Sequence, residues 1–87
     1  MNRHPVQSSN ILSVGYDSDT MTLEVEFRGN KKSSPRIYQY FGIPFFIYND
    51  LLNGGFTSTG RYFREAVVKG GYKYRVGRGD EPDPIAA

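Results

Sequence analysis

Apolar and polar residues alternate along residues 22–28, and this two-residue period predicts a β-strand. Leu23, Val25 and Phe27 fall on one side of the chain, whereas polar and charged residues fall on the other. We therefore expect one face of this strand in a hydrophobic core and the other in solvent. Weaker signals of the same kind predict further strands at residues 10–16, 36–41 and 72–76.

Between the last two predicted strands the apolar residues change to helical spacing. Pro44 predicts the start of a first helix, because its fixed φ and missing N–H are tolerated in the first turn. Gly54 and Gly55 predict its end through a left-handed cap. A second, shorter helix is predicted to begin near residues 57–59 and to reach about Val68. The expected class is α+β, with a small antiparallel sheet of about four strands packed on two short helices in the order β-β-β-α-α-β.

The chain is short, with 87 residues and no cysteine, so we expect one small domain without disulfides or thiolate-bound zinc. Residues 10–76 are assigned to this domain. Residues 1–9 are expected to be flexible, and residues 77–87 to form a disordered acidic tail. No apolar run approaches the length that spans a bilayer, and no signal peptide is visible. A cytoplasmic protein without a membrane partner is the expectation.

The net charge of +2 conceals an uneven distribution along the chain. The segment from Arg28 to Arg78 contains ten cationic residues and only two acidic ones. The remaining acidic residues lie at 17–26 and in the tail. A segment this basic attracts phosphate-rich partners if the fold gathers its charges on one surface.

Two tyrosine pairs at strand spacing lie inside this basic segment. Tyr38 and Tyr40 are expected to share one strand face, as are Tyr72 and Tyr74. Each pair either packs in the core with its hydroxyls reaching partners at the sheet edge, or forms a platform on which bases stack. The core is the favoured interpretation of both pairs.

Five cationic side chains are candidates for phosphate contacts: Lys73, Arg75, Arg36, Arg61 and Arg64. Lys73 and Arg75 are expected on the side of the last strand opposite its tyrosines, where they either neutralise phosphates or form a solvated row that protects a sheet edge. Arg61 and Arg64 could bracket a phosphate near the start of the second helix. The alternative for that region is simple helix capping.

Phe45 and Phe46 indicate a second kind of surface. Phe46 aligns with Asn49, Asp50 and Asn53 on the expected polar face of the first helix. Two adjacent phenylalanines at a helix start are either packed locally or form an interface with another protein chain, and self-association is the simplest case.

Catalysis is not expected from this sequence. His4 is the only histidine, there is no cysteine, and the carboxylates are concentrated in a turn, an outward strand face and a tail. No nucleophile paired with a base and no metal cluster is apparent, so neither a metal nor another cofactor is expected. The glycines match neither a P-loop nor a dinucleotide-binding fingerprint.

Six ordered blocks of the sequence resemble the KTSC domain, which is named for the C-terminus of some lysyl-tRNA synthetases and also occurs as small free-standing bacterial and phage proteins. The blocks are Pro5–Ile11, Ser13–Asp17, Thr22–Phe27, Tyr38–Pro44, Gly60–Phe63 and Tyr72–Arg75. The resemblance covers about residues 5–76. It implies RNA binding as the suspected role of the family and supplies no catalytic residues.

Two features depart from the family pattern. The loop before the third strand is longer than the tight connection expected in the family, and it adds Lys31, Lys32 and Arg36. Phe45 and Phe46 stand where the family usually has polar residues. The first departure enlarges the basic segment, and the second adds apolar surface.

The leading hypothesis is a non-catalytic module that binds RNA or another phosphate-bearing nucleotide ligand through the five cationic candidates, assisted by Tyr38 and Tyr40. The alternative is a protein-interaction module, such as a phage-type inhibitor or adaptor, that uses Phe45 and Phe46. A combination is also conceivable, in which a homo-oligomer forms nucleotide pockets between its subunits.

Overall fold

The computed structural model describes residues 2–29, 35–54 and 59–77. Within these ranges it contains five strands, which are β1 (Arg3–Pro5), β2 (Ile11–Asp17), β3 (Thr22–Phe27), β4 (Arg36–Tyr40) and β5 (Tyr74–Gly77). Two helices lie between β4 and β5. The first is α1 (Phe45–Asn53), and the second is α2 (Thr59–Phe63), which continues as a π-helical turn over Arg64–Val68. We refer to residues 59–68 together as the second helix.

The strands form one antiparallel sheet in the order β1-β2-β3-β4-β5, so that each strand pairs with its neighbours in the chain. The predicted α+β class is therefore confirmed, with one strand more than the predicted arrangement. The additional strand, β1, lies in the segment that was expected to be flexible and pairs Arg3 with Gly15. No alternation marks β1 in the sequence, because it has three residues and ends in a proline.

Both helices pack against the same face of the sheet and enclose the hydrophobic core. Its buried members are Ile11, Val14, Leu23, Val25, Tyr40, Ile43, Ile47, Leu51, Phe63 and Val67. A register shift in β2 between Ile11 and Ser13 places Ile11 on the same side as Val14, although simple alternation would separate them. Each fully buried aliphatic side chain contributes roughly 2 kcal/mol to folding through removal from water.

The first helix begins and ends where the sequence predicts. Pro44 precedes it, and Gly54 follows it with a φ of −72°, in the right-handed region. The left-handed cap expected for the glycine pair is therefore not at Gly54, and Gly55 lies outside the described residues. Ile47 and Leu51, four residues apart, are the buried residues of this helix.

The second helix is held against both the first helix and the turn before β2. Tyr62 Oη donates a hydrogen bond to Asp50 Oδ2 of α1 at 2.9 Å. Burial, followed by this hydrogen bond and the Asp50 charge, raises the pKa of Tyr62 to about 12. A Cβ atom on Gly60 would lie 2.6 Å from Asn10 Oδ1, so a larger residue would displace the Asn10 side chain from the helix. Thr57 and Ser58, in the segment where this helix was expected to begin, lie outside the described residues.

No helix in the described part of the chain is long and apolar enough to cross a membrane. The acidic tail expected at residues 77–87 lies outside that part except for Gly77, the last residue of β5. Lys31 and Lys32, in the connection between β3 and β4, also lie outside it.

Candidate nucleic-acid interface

A groove of about 1030 Å³ opens between the second helix and the adjoining strands β3 and β4. Its floor is aromatic, since Phe27, Tyr38 and Tyr40 line it from the sheet and Phe63 lines it from the helix. The Phe63 ring packs edge-on against those of Phe27 and Tyr40, with centroid separations of 5.6 and 5.4 Å. These contacts fix the helix relative to the sheet and hence the width of the groove.

The side chains around this groove carry a clear excess of positive charge. Five cationic residues and one acidic residue line it, namely Arg28, Arg36, Arg61, Arg64, Lys69 and Glu65. We call this feature the basic groove. Its cations come from three places in the chain, which are the end of β3, the start of β4 and the second helix. The fold thus gathers charges that are scattered in the sequence onto one surface, which is the condition for attracting a polyanion.

Two of these cations have partners that leave most of their charge available. Glu65 accepts a hydrogen bond from Lys69 Nζ at 3.1 Å, but both side chains are exposed, so this pair contributes little stability and is readily exchanged. Arg28 Nε donates to the Ser8 carbonyl at 3.4 Å, which orients the guanidinium and leaves its charge in place. The charges of Lys69 and Arg28 therefore remain accessible to a ligand.

The π-helical turn forms part of the helical wall of the groove. It spans Arg64–Val68, and the N–H of Lys69 after it donates to the Arg64 carbonyl at 2.9 Å, one residue farther than in an α-helix. Arg64, Glu65 and Val68 are exposed and line the groove, whereas Val67 is buried in the core. π-helical turns of this kind occur frequently at functional sites.

The three tyrosines near the groove differ in exposure. Tyr40 is 5% exposed, and its burial, with smaller contributions from Tyr38 and Tyr74, raises its pKa to about 12. Tyr40 therefore belongs to the core and is not available for base stacking. Tyr38 is half-buried, and its ring lies 6.1 Å from that of Tyr40 and 5.6 Å from that of Tyr74; these two rings are themselves 5.5 Å apart, so the three form a triangular cluster. Tyr74, which the sequence pattern placed in the core, is 57% exposed.

The other residue of the second tyrosine pair has a different environment. Tyr72 precedes β5, which begins at Tyr74 and not at residue 72 as predicted. Its ring is half-buried and packs against the core. A Cβ atom on Gly70 would lie 2.8 Å from the Tyr72 ring, so glycine at position 70 allows this packing. The two residues of the pair thus do not form a common platform.

The structure does not bring Lys73 and Arg75 to the basic groove. Arg75 lies on the opposite face of the sheet, where its Nε donates to Gln39 Oε1 at 2.6 Å. Its guanidinium also lies 5.7 Å from the centroid of the Phe41 ring. Lys73, two residues earlier in the chain, is exposed. Of the seven candidate binding residues, the groove contains Arg36, Arg61, Arg64, Tyr38 and Tyr40.

On the opposite face, a polar row crosses all five strands. Its members, aligned by strand register, are Arg3, Gly15, Glu24, Gln39 and Arg75. Glu24 accepts hydrogen bonds from Arg3 Nη1 at 2.7 Å and from Gln39 Nε2 at 2.8 Å, and Gln39 in turn accepts from Arg75. Glu24 is only 4% exposed, so the expectation that this face is open to solvent is wrong for Glu24. Its long-range partners bury it.

The polar row depends on a glycine in β2. A Cβ atom on Gly15 would lie 2.6 Å from the Asn2 carbonyl oxygen and 3.1 Å from Arg3 Cγ. The glycine therefore leaves space for the Arg3 side chain to cross β2 and reach Glu24. Arg3 is also hydrogen-bonded to Ser13 Oγ through Nε, at 3.2 Å. This arrangement attaches β1 to the sheet through its side chains as well as its backbone.

Phe45 and Phe46 form an apolar surface away from the basic groove. Phe45 is 57% exposed and packs edge-on against Tyr16 and Tyr48, whereas Phe46 is 61% exposed and has no ring contact within the described residues. Tyr16 lies near the end of β2, while the groove is lined by Asn10 just before its start. The two surfaces are therefore at opposite ends of this strand.

Three residues that border the groove were not among the candidate binding residues. Arg28 and Lys69 line it, and Tyr74 contacts both tyrosines of its floor. The position of Arg28 directly after the clearest strand was an available signal. Lys69 follows the second helix and had no such signal.

Among the described residues, no three histidine, cysteine, aspartate or glutamate side chains are placed to hold a metal ion.

Comparison with known proteins identifies the family. Residues 7–72 match the family model of the KTSC domain. An uncharacterized protein from Stutzerimonas stutzeri (strain A1501) is 36% identical over 74 residues, which is 85% of this chain and 94% of that protein. The crystal structure of a KTSC domain protein from Yersinia pestis matches with a TM-score of 0.67 and 36% identity, covering 88% of this chain and 97% of that one. The chain therefore belongs to the KTSC domain family.

Proposed function

We propose that this KTSC domain is a non-catalytic cytoplasmic module that binds RNA, with the phosphates held in the basic groove. The observation that carries the proposal is the gathering of five cationic side chains and one acidic one around a groove with an aromatic floor. RNA binding is the role that the sequence resemblance implies for the family, and it favours RNA as the partner. A smaller phosphate-bearing nucleotide shares this chemistry and is distinguished from RNA by the number of phosphates engaged.

The arrangement favours phosphate recognition over recognition of a single small acid. Arginine offers planar sets of N–H donors that match phosphate oxygens, and four of the five cations are arginines. Salt cations condensed on the RNA are released when the protein neutralises its phosphates. Affinity should therefore fall with salt concentration, with a slope of about −0.7 per phosphate on a single strand when log affinity is plotted against log salt concentration. Engagement of about three phosphates would reduce affinity roughly 20-fold between 50 and 200 mM salt.

Two single charge reversals test which face of the sheet binds. Arg64→Glu changes the groove, and Lys73→Glu changes the opposite face; both residues are exposed, and both changes alter net charge equally. Binding of a fluorescently labelled RNA 12-mer is measured by anisotropy over a range of salt concentrations. We expect Arg64→Glu to reduce affinity by about tenfold and to make the salt slope shallower, and Lys73→Glu to change affinity by at most about twofold. Arg36→Glu should behave like Arg64→Glu.

A larger loss of affinity in Lys73→Glu than in Arg64→Glu would assign binding to the face that carries Lys73 and Arg75. Arg75→Glu then tests the second residue of that face. Because Arg75 donates a hydrogen bond to Gln39, a thermal melt of this variant separates lost binding from lost stability. Absence of RNA binding by the unaltered protein at low salt would contradict the proposal. Native mass spectrometry of the protein purified at low salt without nuclease provides an independent check, since retained nucleotide or RNA adds a defined mass.

The exposed phenylalanines favour a second candidate function, a protein-interaction module such as a phage-type inhibitor or adaptor, or a homo-oligomer with ligand pockets between its subunits. Phe46 is the more informative residue, because it is 61% exposed and its replacement leaves the described core contacts intact. Phe46→Ser should abolish assembly without lowering the melting temperature, whereas Phe46→Leu should preserve assembly. Light scattering coupled to gel filtration gives the readout, and a monomeric unaltered protein would exclude the homo-oligomer.

A further inference from the structure

We infer that the basic groove selects single-stranded RNA and that an unpaired base stacks on Tyr74 at its margin. This inference rests on the proposed function, because it specifies the form of RNA that the same site takes. It also assigns a binding role to a residue that the sequence pattern placed in the core.

Tyr74 is largely exposed although two tyrosine rings contact it. Tyr74 lies opposite Tyr40 in the β4–β5 register, so its side chain stands on the same face as the groove floor. Its ring contacts that of Tyr38, at a centroid distance of 5.6 Å and an interplanar angle of 21°, and that of Tyr40, at 5.5 Å and 35°. Tyr74 is nevertheless 57% exposed, and β5 is the last strand of the sheet in the described part of the chain. A flat aromatic ligand could stack on the exposed part of this ring.

Neighbouring rings hold Tyr74 in place before any ligand arrives. Tyr40, at 5.5 Å, is packed in the core against Phe63, and Tyr38 lies between Phe27 and Tyr74. A side chain supported in this way loses little further conformational freedom on binding. Such an exposed but supported ring is suited to stacking with a base, and stacking tolerates any base because every base has a π-face.

The cations lie where the backbone of such a strand would pass. Arg36 lies on the same face of β4 as Tyr38, two residues away, and both line the groove. Arg64 and Lys69 line it from the helical wall. Phosphates held between these two walls would place an adjacent nucleotide within reach of the margin where Tyr74 stands. In a duplex, by contrast, the bases are paired and stacked internally, so they cannot reach this ring.

Tyr74→Trp provides a direct test, because the chain contains no tryptophan and the replacement introduces a single fluorophore at the margin of the groove. Addition of a single-stranded RNA 10-mer should quench its emission through stacking. The same sequence annealed into a duplex should leave the emission largely unchanged. Quenching by the duplex to the same extent would overturn the inference.

Affinity measurements on further variants test the energetic role of the ring. Tyr74→Leu should weaken single-strand binding by about tenfold, within the range found for removal of a base-stacking aromatic residue, and Tyr74→Phe should stay within about twofold of the unaltered protein. Val76→Ala is the matched control, since Val76 is an exposed residue on the same face of the same strand. It should leave affinity within about twofold. Thermal melts verify that each variant is folded.

The salt dependence separates failure of this inference from failure of the proposed function. Tyr74→Leu should lower affinity without changing the salt slope, whereas Arg64→Glu should change both. Suppose that single-stranded and duplex RNA bind equally, that Arg64→Glu weakens binding of both forms, and that Tyr74→Leu weakens binding of neither. In that case the inference is wrong and the proposed function stands. If neither form of RNA binds at low salt, both are wrong.

Discussion

The two faces of the sheet are stabilised by different interactions, and the difference indicates where a ligand binds. The face under the helices is held by apolar and aromatic packing, and the arginines and lysine at its margin are turned outward. The opposite face is held by a chain of hydrogen bonds through Arg3, Glu24, Gln39 and Arg75, in which charged groups satisfy one another. Charges used within a fold are poorly available to a partner. The face whose exposed cations line the groove is therefore the better binding surface.

The largest expected effect on the packed face comes from the ring that connects helix and sheet. Phe63→Ala should lower the free energy of unfolding by about 4 kcal/mol, because Phe63 is buried and a cavity would form between Phe27 and Tyr40. Urea denaturation measures the change. Phe46→Ala removes the same side chain from an exposed position and should cost less than about 0.5 kcal/mol. Equal losses in the two variants would contradict the assignment of Phe63 to the core.

Alkaline pH should weaken the same face by a somewhat smaller amount. A tyrosine in the unfolded chain ionises near pH 10, whereas burial raises the pKa of folded Tyr40 to about 12. Below pH 10 the neutral form prevails in both states, so this contribution to stability is complete. Between pH 10 and 12 only the unfolded state loses its proton, and about 3 kcal/mol of stability should be lost.

Tyr40→Phe isolates this contribution, because it removes the ionisable hydroxyl and keeps the ring. The decline in unfolding free energy between pH 10 and 12 should be smaller in this variant than in the unaltered protein. Part of the decline should remain, since the pKa of Tyr62 is also raised to about 12. Parallel pH profiles for the two proteins would show that Tyr40 is not the responsible group.

The smallest expected effect concerns the polar face. Glu24→Ala should cost about 2 kcal/mol, because it leaves Arg3 and Gln39 without their shared acceptor. Lys73→Ala, on exposed surface, should change stability by less than about 0.5 kcal/mol. Chemical denaturation gives both values. A Glu24 variant as stable as the Lys73 variant would mean that the polar row contributes no net stability.

Local patterns in the sequence predict the elements that local interactions create. The alternation around Val25 predicts β3, and Pro44 with Gly54 predicts the limits of α1, since the signals lie within the elements themselves. The burial of Glu24 was not predictable in this way, because its partners Arg3 and Gln39 are 21 and 15 residues distant.

The candidate site was predicted in part for the same reason. The sequence identifies the cationic and aromatic residues as a class, yet their grouping depends on how the second helix lies across β4. That placement brings Arg64 to the groove, whereas the alternation of β5 puts Arg75 on the other face, where it is bound to Gln39. It also determines that Tyr40 is covered and Tyr74 is not. Tyr40 and Tyr74, which occupy the same place in their two pairs, therefore differ in role: the first belongs to the core and the second is exposed.

The insertion of both helices between β4 and β5 has a consequence for how the sheet opens. Gln39 and Arg75, which join these strands, are 36 residues apart, whereas Glu24 and Gln39, which join β3 to β4, are 15 residues apart. Closing the longer loop costs more chain entropy, so β5 should join the sheet late in folding and detach from it at a lower free energy than β3 or β4. The margin formed by Tyr74 thus belongs to a strand that can open without unfolding the core, and a ligand bound there would slow amide exchange in β5.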